Sequence, residues 1–120
     1  MYVSIYDLTM LDSLEVRYYY YKNKSSKLSI RCNIGQKLNF EHKQVVVIEL
    51  LVNNNIPGIF VRSLNEKADN KEICEVSYFY NYQGVCSITL SHKIAKFLKI
   101  AHKEVLKGII MRNGLFIYKI

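Results

Sequence analysis

The side chains whose type and spacing point to chemistry are cations. Arg17, Lys22, Lys24, Lys27 and Arg31 crowd one stretch, and Lys93, Lys96 and Lys99 recur at every third position of another. With 17 Lys and Arg against 10 Asp and Glu, the formal charge is +7 at pH 7, an excess that draws polyanions before any shape is considered. Lysine and arginine contact phosphates without regard to base sequence, and arginine can also pair with a guanine edge through two hydrogen bonds. These residues are therefore expected to form one surface on double-stranded DNA, with Arg17 and Arg31 the best suited to base edges. Phosphate contacts position a protein, so preference among sites would come mainly from DNA shape and flexibility.

Aromatic side chains lie beside the cations. Tyr18 to Tyr21 and the group Tyr78, Phe79, Tyr80 and Tyr82 could stack unpaired bases, as strand aromatics do in single-strand binders. Alternation divides them. Tyr18 and Tyr20 share a strand face with Val16, and Tyr78 and Tyr80 share one with Val76, which reads these four as core. Tyr19, Tyr21, Phe79 and Tyr82 then point to the opposite face. His42 and His102, each followed by Lys, lack the neighbouring ligands of a metal site and read as turn residues. Cys32, Cys74 and Cys86 show neither zinc-ligand spacing nor an adjacent base that would make a nucleophile. Glycine loops that cradle phosphate and the Gly-x-Ser-x-Gly elbow are missing. No enzyme, metal or cofactor is expected.

A chain of 120 residues suits one domain, 1–120, and its apolar half is enough for a core. The apolar run around Val45 to Val52 is broken at Glu49 and falls far short of the roughly 20 residues a membrane span needs. An odd cysteine count and a start without leader character predict a cytoplasmic protein with no membrane partner, nucleoid-associated if it binds DNA.

Shifted by sixty positions, the chain resembles itself. Glu15, Val16, Tyr18 and Tyr20 fall on Glu75, Val76, Tyr78 and Tyr80, His42-Lys43 on His102-Lys103, and Asn53 on Asn113. Gly58-Ile59-Phe60-Val61 then falls on Gly114-Leu115-Phe116-Ile117 once Asn54 to Pro57 are set aside as a longer turn in the first copy. Identities at polar positions in one register predict an internal repeat, about 1–64 and about 65–120.

Each copy reads β-β-α-β-β. Strands are expected over 15–21, 27–31, 44–52 and 59–63, and again over 75–80, 85–90, 104–111 and 115–120. The intervening helix is better defined in the second copy, where Ser91 can cap it and Ile94, Phe97 and Leu98 form its buried stripe under outward Lys93, Lys96 and Lys99. Val3 and Ile5 suggest an added edge strand within the first fourteen residues.

The stretch from Cys86 to Ile100, with Glu104-Val105-Leu106 and the closing Asn113-Gly114-Leu115-Phe116-Ile117-Tyr118 hairpin, resembles AbrB-type transition-state regulators and related antitoxins. The pattern of that family runs Gly-Arg, an Ile-Thr-Ile-like strand, Pro, a short helix ending Leu-Gly-Ile, an acidic turn and two closing strands. Here Arg31 and Ser91 stand at the Pro, Asn39 and Lys99 at the Gly of Leu-Gly-Ile, and Gln44 and Glu104 at the acidic turn. The family arginine falls on Lys27 in one copy and on Ser87 in the other. The resemblance implies a mostly β fold with short helices, in which two swapped-hairpin repeats share one barrel-like core. Such a chain would be its own pseudo-dimer, alone or in a further homo-oligomer, and a DNA-binding transcriptional regulator. Two other readings stay open: a protein-binding module, such as an antitoxin or viral inhibitor, gripping its partner with an exposed Tyr-rich strand, and a single-stranded nucleic-acid binder.

Overall fold

Segments in which every second residue is apolar become strands. They are β1 (Ser13–Tyr19), β2 (Ser26–Ile30), β3 (Gln44–Asn53), β4 (Ile56–Ser63), β5 (Cys74–Tyr82), β6 (Val85–Leu90), β7 (Val105–Met111) and β8 (Gly114–Lys119). Two short helices intervene, α1 (Ile34–Leu38) and α2 (His92–Leu98). This is a computed structural model, and it describes residues 13–31, 34–63, 74–112 and 114–120. Val3 and Ile5 of the expected edge strand, and Cys32, lie outside the described residues.

The eight strands close into one antiparallel barrel in the order β1-β2-β6-β5-β3-β4-β8-β7. The pairing crosses between the two halves of the chain: β1 lies against β7, with Val16 opposite Leu106, and β5 lies against β3, with Ser77 opposite Val46. Between these crossings β2 meets β6 at Leu28 and Ile88, and β4 meets β8 at Phe60 and Phe116. Inward residues fill the lumen, among them Val16, Leu28, Ile30, Val46, Ile48, Ile59, Val61, Phe79, Ile88, Leu106 and Ile117, all fully buried or nearly so. Ile34 of α1 and Ile94 and Ala95 of α2 join the same cluster.

The two tyrosine-rich strands do not present the same face. In β1 Val16 and Tyr18 are buried, but in β5 it is Ser77 and Phe79 that are buried, while Val76 and Tyr78 are 60% and 48% exposed. Tyr20, past the end of β1, is exposed as well, and Tyr80 is half-buried. The reading of Tyr20, Tyr78 and Tyr80 as core, and of Phe79 as outward, is thus corrected, as is that of Tyr82, which lies on the same face as Tyr80 and stacks on it. The cause is one residue of hairpin length. Tyr18 pairs with Leu28 across ten positions, whereas Phe79 pairs with Ile88 across nine. Aligning the identical Glu-Val-x-Tyr letters therefore slips β5 by one, and a slip of one turns every side chain to the other face.

Two further expectations change in the same way. The additional residues of the β3–β4 hairpin do not lengthen its turn, which is Asn54-Asn55 with both φ positive, as a two-residue type I′ turn demands. They lengthen its arms, adding the pairs Val52–Pro57 and Asn53–Ile56 beyond Leu51–Gly58. On α2 the cap holds, with Ser91 Oγ accepting from Ile94 N at 3.3 Å, but Phe97 is 57% exposed rather than part of the buried stripe.

The β4–β8 contact is close enough to exclude side chains. A Cβ on Gly58 would lie 2.9 Å from the Phe116 ring and clash with the Ile117 carbonyl, and one on Gly114 would lie 2.7 Å from the Phe60 ring and clash with the Val61 carbonyl. Gly58→Ala and Gly114→Ala are each expected to lower stability by about 1–3 kcal/mol in urea unfolding. A sharper test of register is the pair Phe79→Ala and Tyr78→Ala. The first is expected to cost about 3–5 kcal/mol and the second less than about 0.5 kcal/mol; equal losses would contradict the facing.

Candidate nucleic-acid interface

Opposite the core, the outer face of β1 and β2 gathers polar side chains because alternation leaves them nowhere else to go. Arg17 stands opposite Ser29 and Tyr19 opposite Lys27, and Ser29 and Lys27 continue across β6 to Ser87 and Thr89. Ser87 in turn faces Tyr80 of β5. The sheet thus offers a floor of small hydroxyl residues between an Arg17–Tyr19 side and a Tyr80 side. At the first side is a concavity of about 430 Å³ lined by Glu15, Arg17, Tyr19, Ser29, Arg31, Lys103 and Val105. Three cations there face a single carboxylate, a balance suited to an anion.

Turns with matching geometry hold the edges of this face. After each helix a residue takes a left-handed conformation, Asn39 at φ 58° and Lys99 at φ 59°, and the chain returns to the barrel. Lys43 N donates to Phe79 O and Lys103 N to Tyr18 O, both at 2.7 Å. Beside them His42 Nδ1 accepts from Asn81 N and His102 Nδ1 from Tyr20 N, each at 3.0 Å. Both histidines are bound into turns, as their positions suggested. Among the described residues no group of three His, Cys, Asp or Glu side chains gathers as metal ligands.

The aromatic residues of the two edges differ in their company. Lys27 Nζ sits 5.9 Å from the Tyr19 ring centre and Lys24 Nζ 4.8 Å from that of Tyr21, so cations cover the tyrosines of the β1 edge. On the β5 edge Tyr80 and Tyr82 stack at 6.0 Å with planes 7° apart, and His42 packs edge-on against both. Arg17 Nη1 donates to Lys103 O at 3.0 Å, which orients the guanidinium while using one of its five N–H donors.

The cations expected to act together fall into three places. Arg17, Lys27 and Arg31 belong to the β1–β2 face. Lys22 and Lys24, in the turn between those strands, line a shallow hollow with Ser91 and His92 at the start of α2, where Tyr20 and His92 rings lie 4.9 Å apart. Lys93 and Lys96 lie farther along α2 and border Leu50 and Phe97. Lys99 follows the helix, its carbonyl accepting from Lys119 Nζ at 2.7 Å. Sequence reasoning passed over Lys103 and the Ser29–Ser87 floor. The signal for Lys103 was its place in the turn after His102; its proximity to Arg17, eighty-six residues away, depends on the β1–β7 pairing.

The matched glutamates have separate tasks. Glu75 Oε2 accepts from Ser91 N at 3.1 Å and so anchors the start of α2, whereas Glu15 is exposed at the rim of the cationic concavity. Compared with protein-family models, curated proteins and solved structures, the chain finds no match.

Proposed function

We propose that the protein binds double-stranded DNA through the outer face of β1 and β2, and that it acts as a regulator of transcription. The observation that carries this reading is the convergence of Arg17, Arg31 and Lys103 on one concavity beside Tyr19, with Lys27 on the adjoining strand. Lys22 and Lys24 extend the positive field along the hairpin turn, and Lys93, Lys96 and Lys99 add to it from α2. Docking is electrostatic, and the field steers a duplex onto the sheet before local contacts form. Arg17 and Arg31 are the side chains best suited to a base edge, and flexible DNA is favoured because few others can read sequence.

We further infer that the chain consists of two fused AbrB-type halves interleaved as a pseudo-dimer. Three features support this. Strands of each half pair with strands of the other, β1 with β7 and β5 with β3. The middle contacts bring like residues face to face, Leu28 to Ile88 and Phe60 to Phe116. Asn39 and Lys99, which stand at the Gly of the family's Leu-Gly-Ile, both adopt the left-handed conformation that glycine accepts most readily. The β1–β2 hairpin carries Arg17, Lys22, Lys24 and Lys27, whereas residues 74–90 carry no Lys or Arg, so the duplex would lie toward the β1 side.

Exposed Tyr78 and the stacked Tyr80–Tyr82 pair favour a second reading, in which that edge takes unpaired bases. Fluorescence anisotropy with labelled duplex and single-stranded DNA separates the two. Duplex binding is expected to weaken linearly on a log–log plot against salt, and Arg17→Ala with Arg31→Ala is expected to reduce that slope by about two. Tighter binding of single strands, lost in Tyr80→Ala and Tyr82→Ala but kept in the arginine variant, would replace the duplex reading. No binding of either at low salt would end both.

A further inference from the structure

Strand β3 and the exposed Phe97 meet at one place. Leu50, Ile94 and Phe97 form the floor of a groove of about 240 Å³ between β3 and α2, and Lys93 and Lys96 form its rim. Farther along β3, Val52, on the same strand face as Leu50, is 65% exposed, as Phe97 is at 57%. These are large apolar side chains that folding has left in water, in a chain that buries most of its others.

The positions sixty residues away do not repeat this combination. Sixty positions earlier, α1 carries Lys37 where α2 has Phe97, and Gln36 where it has Lys96; sixty positions later, the β7–β8 turn carries Arg112 where β3 has Val52. Both helices support the barrel, so packing does not require an aromatic side chain at this spot. The groove is a local addition to a plan that works without it.

We propose that this groove docks an acidic peptide segment of a partner protein. One bulky apolar side chain sits against Phe97, Leu50 and Ile94, and carboxylates on either side of it meet Lys93 and Lys96. Charge complementarity selects this occupant: an apolar anchor ringed by cations matches an apolar side chain ringed by anions. A phosphate backbone would engage the two lysines and leave the floor uncovered, so DNA fits the groove less well than it fits the β1–β2 face. A second copy of the chain would bring its own +7 toward this rim, which opposes self-association here.

The probe is a short fluorescein-labelled peptide with Phe and Leu set among Asp and Glu, titrated by anisotropy into the full chain. Saturable binding is expected, weakened about tenfold or more by Phe97→Ala and by Lys93→Glu with Lys96→Glu, all exposed positions. The same peptide with Ser at its apolar positions is expected not to bind. Arg17→Ala with Arg31→Ala should leave peptide binding intact, and Phe97→Ala should leave duplex binding intact, so the groove and the DNA face fail separately. Equal binding of the Ser peptide would overturn the proposal, since the overall charge would then be responsible. It would also be overturned by indifference to Phe97→Ala, or by sedimentation showing self-association that Phe97→Ala abolishes.

Discussion

Closure of the barrel depends on β1 finding β7. These strands stand at opposite ends of the described chain, and their pairing runs from Ser13–Ile109 to Arg17–Val105. Without it Val16 and Tyr18 would lose one of their two flanking strands, and both sheet edges would present unpaired backbone groups. The pairing also brings the Lys103 turn to Arg17 and the His102 ring to Tyr20, so the cationic concavity exists only in the closed barrel. Neither end of the chain has enough strands to bury its own apolar face, since a unit of about fifty residues is marginal alone. Core and surface site therefore rest on the same crossing of strands.

Inside that frame, tight approach at β4 and β8 does what hydrogen bonds alone would not. Gly58 and Gly114 leave room for the rings of Phe116 and Phe60, and the phenylalanines stand opposite one another on the outer side. Nearby, buried Arg62 pairs with Glu49 at 2.8 Å and donates to Ser63 O, which partners a charge on β4. Breaking such a pair leaves an uncompensated buried charge, typically a loss of about 3–5 kcal/mol.

Strands and turns could be read from period-two apolar patterns and from Asn- and Gly-containing turns, and the structure places the eight strands expected from residue 15 onward within a few residues of their anticipated bounds. Register was harder. The letters Glu-Val-x-Tyr recur at sixty, yet the β1–β2 connection is one residue longer than β5–β6, so the recurrence matches residues on opposite faces. Polar Ser77 on the core face of β5, donating to Thr89 O, gave no apolar signal to reveal the slip. Phe97 escaped for another reason. Its spacing fits a buried helical stripe, but α2 is under two turns long and turns Ile94, Ala95 and, partly, Leu98 inward. The three placements of the lysines and arginines follow from cross-strand neighbours rather than from sequence proximity, which is why eight cations read as one surface divide as they do.

The most direct test of the account is an amide NMR titration of the full chain with a short mixed-sequence duplex. Binding through the β1–β2 face should shift Arg17, Tyr19, Lys27, Ser29 and Lys103 together, with Ser87 and Thr89 following and Leu50 remaining still. Shifts confined to the β3–α2 groove, or a spectrum unchanged by duplex at low salt, would contradict it.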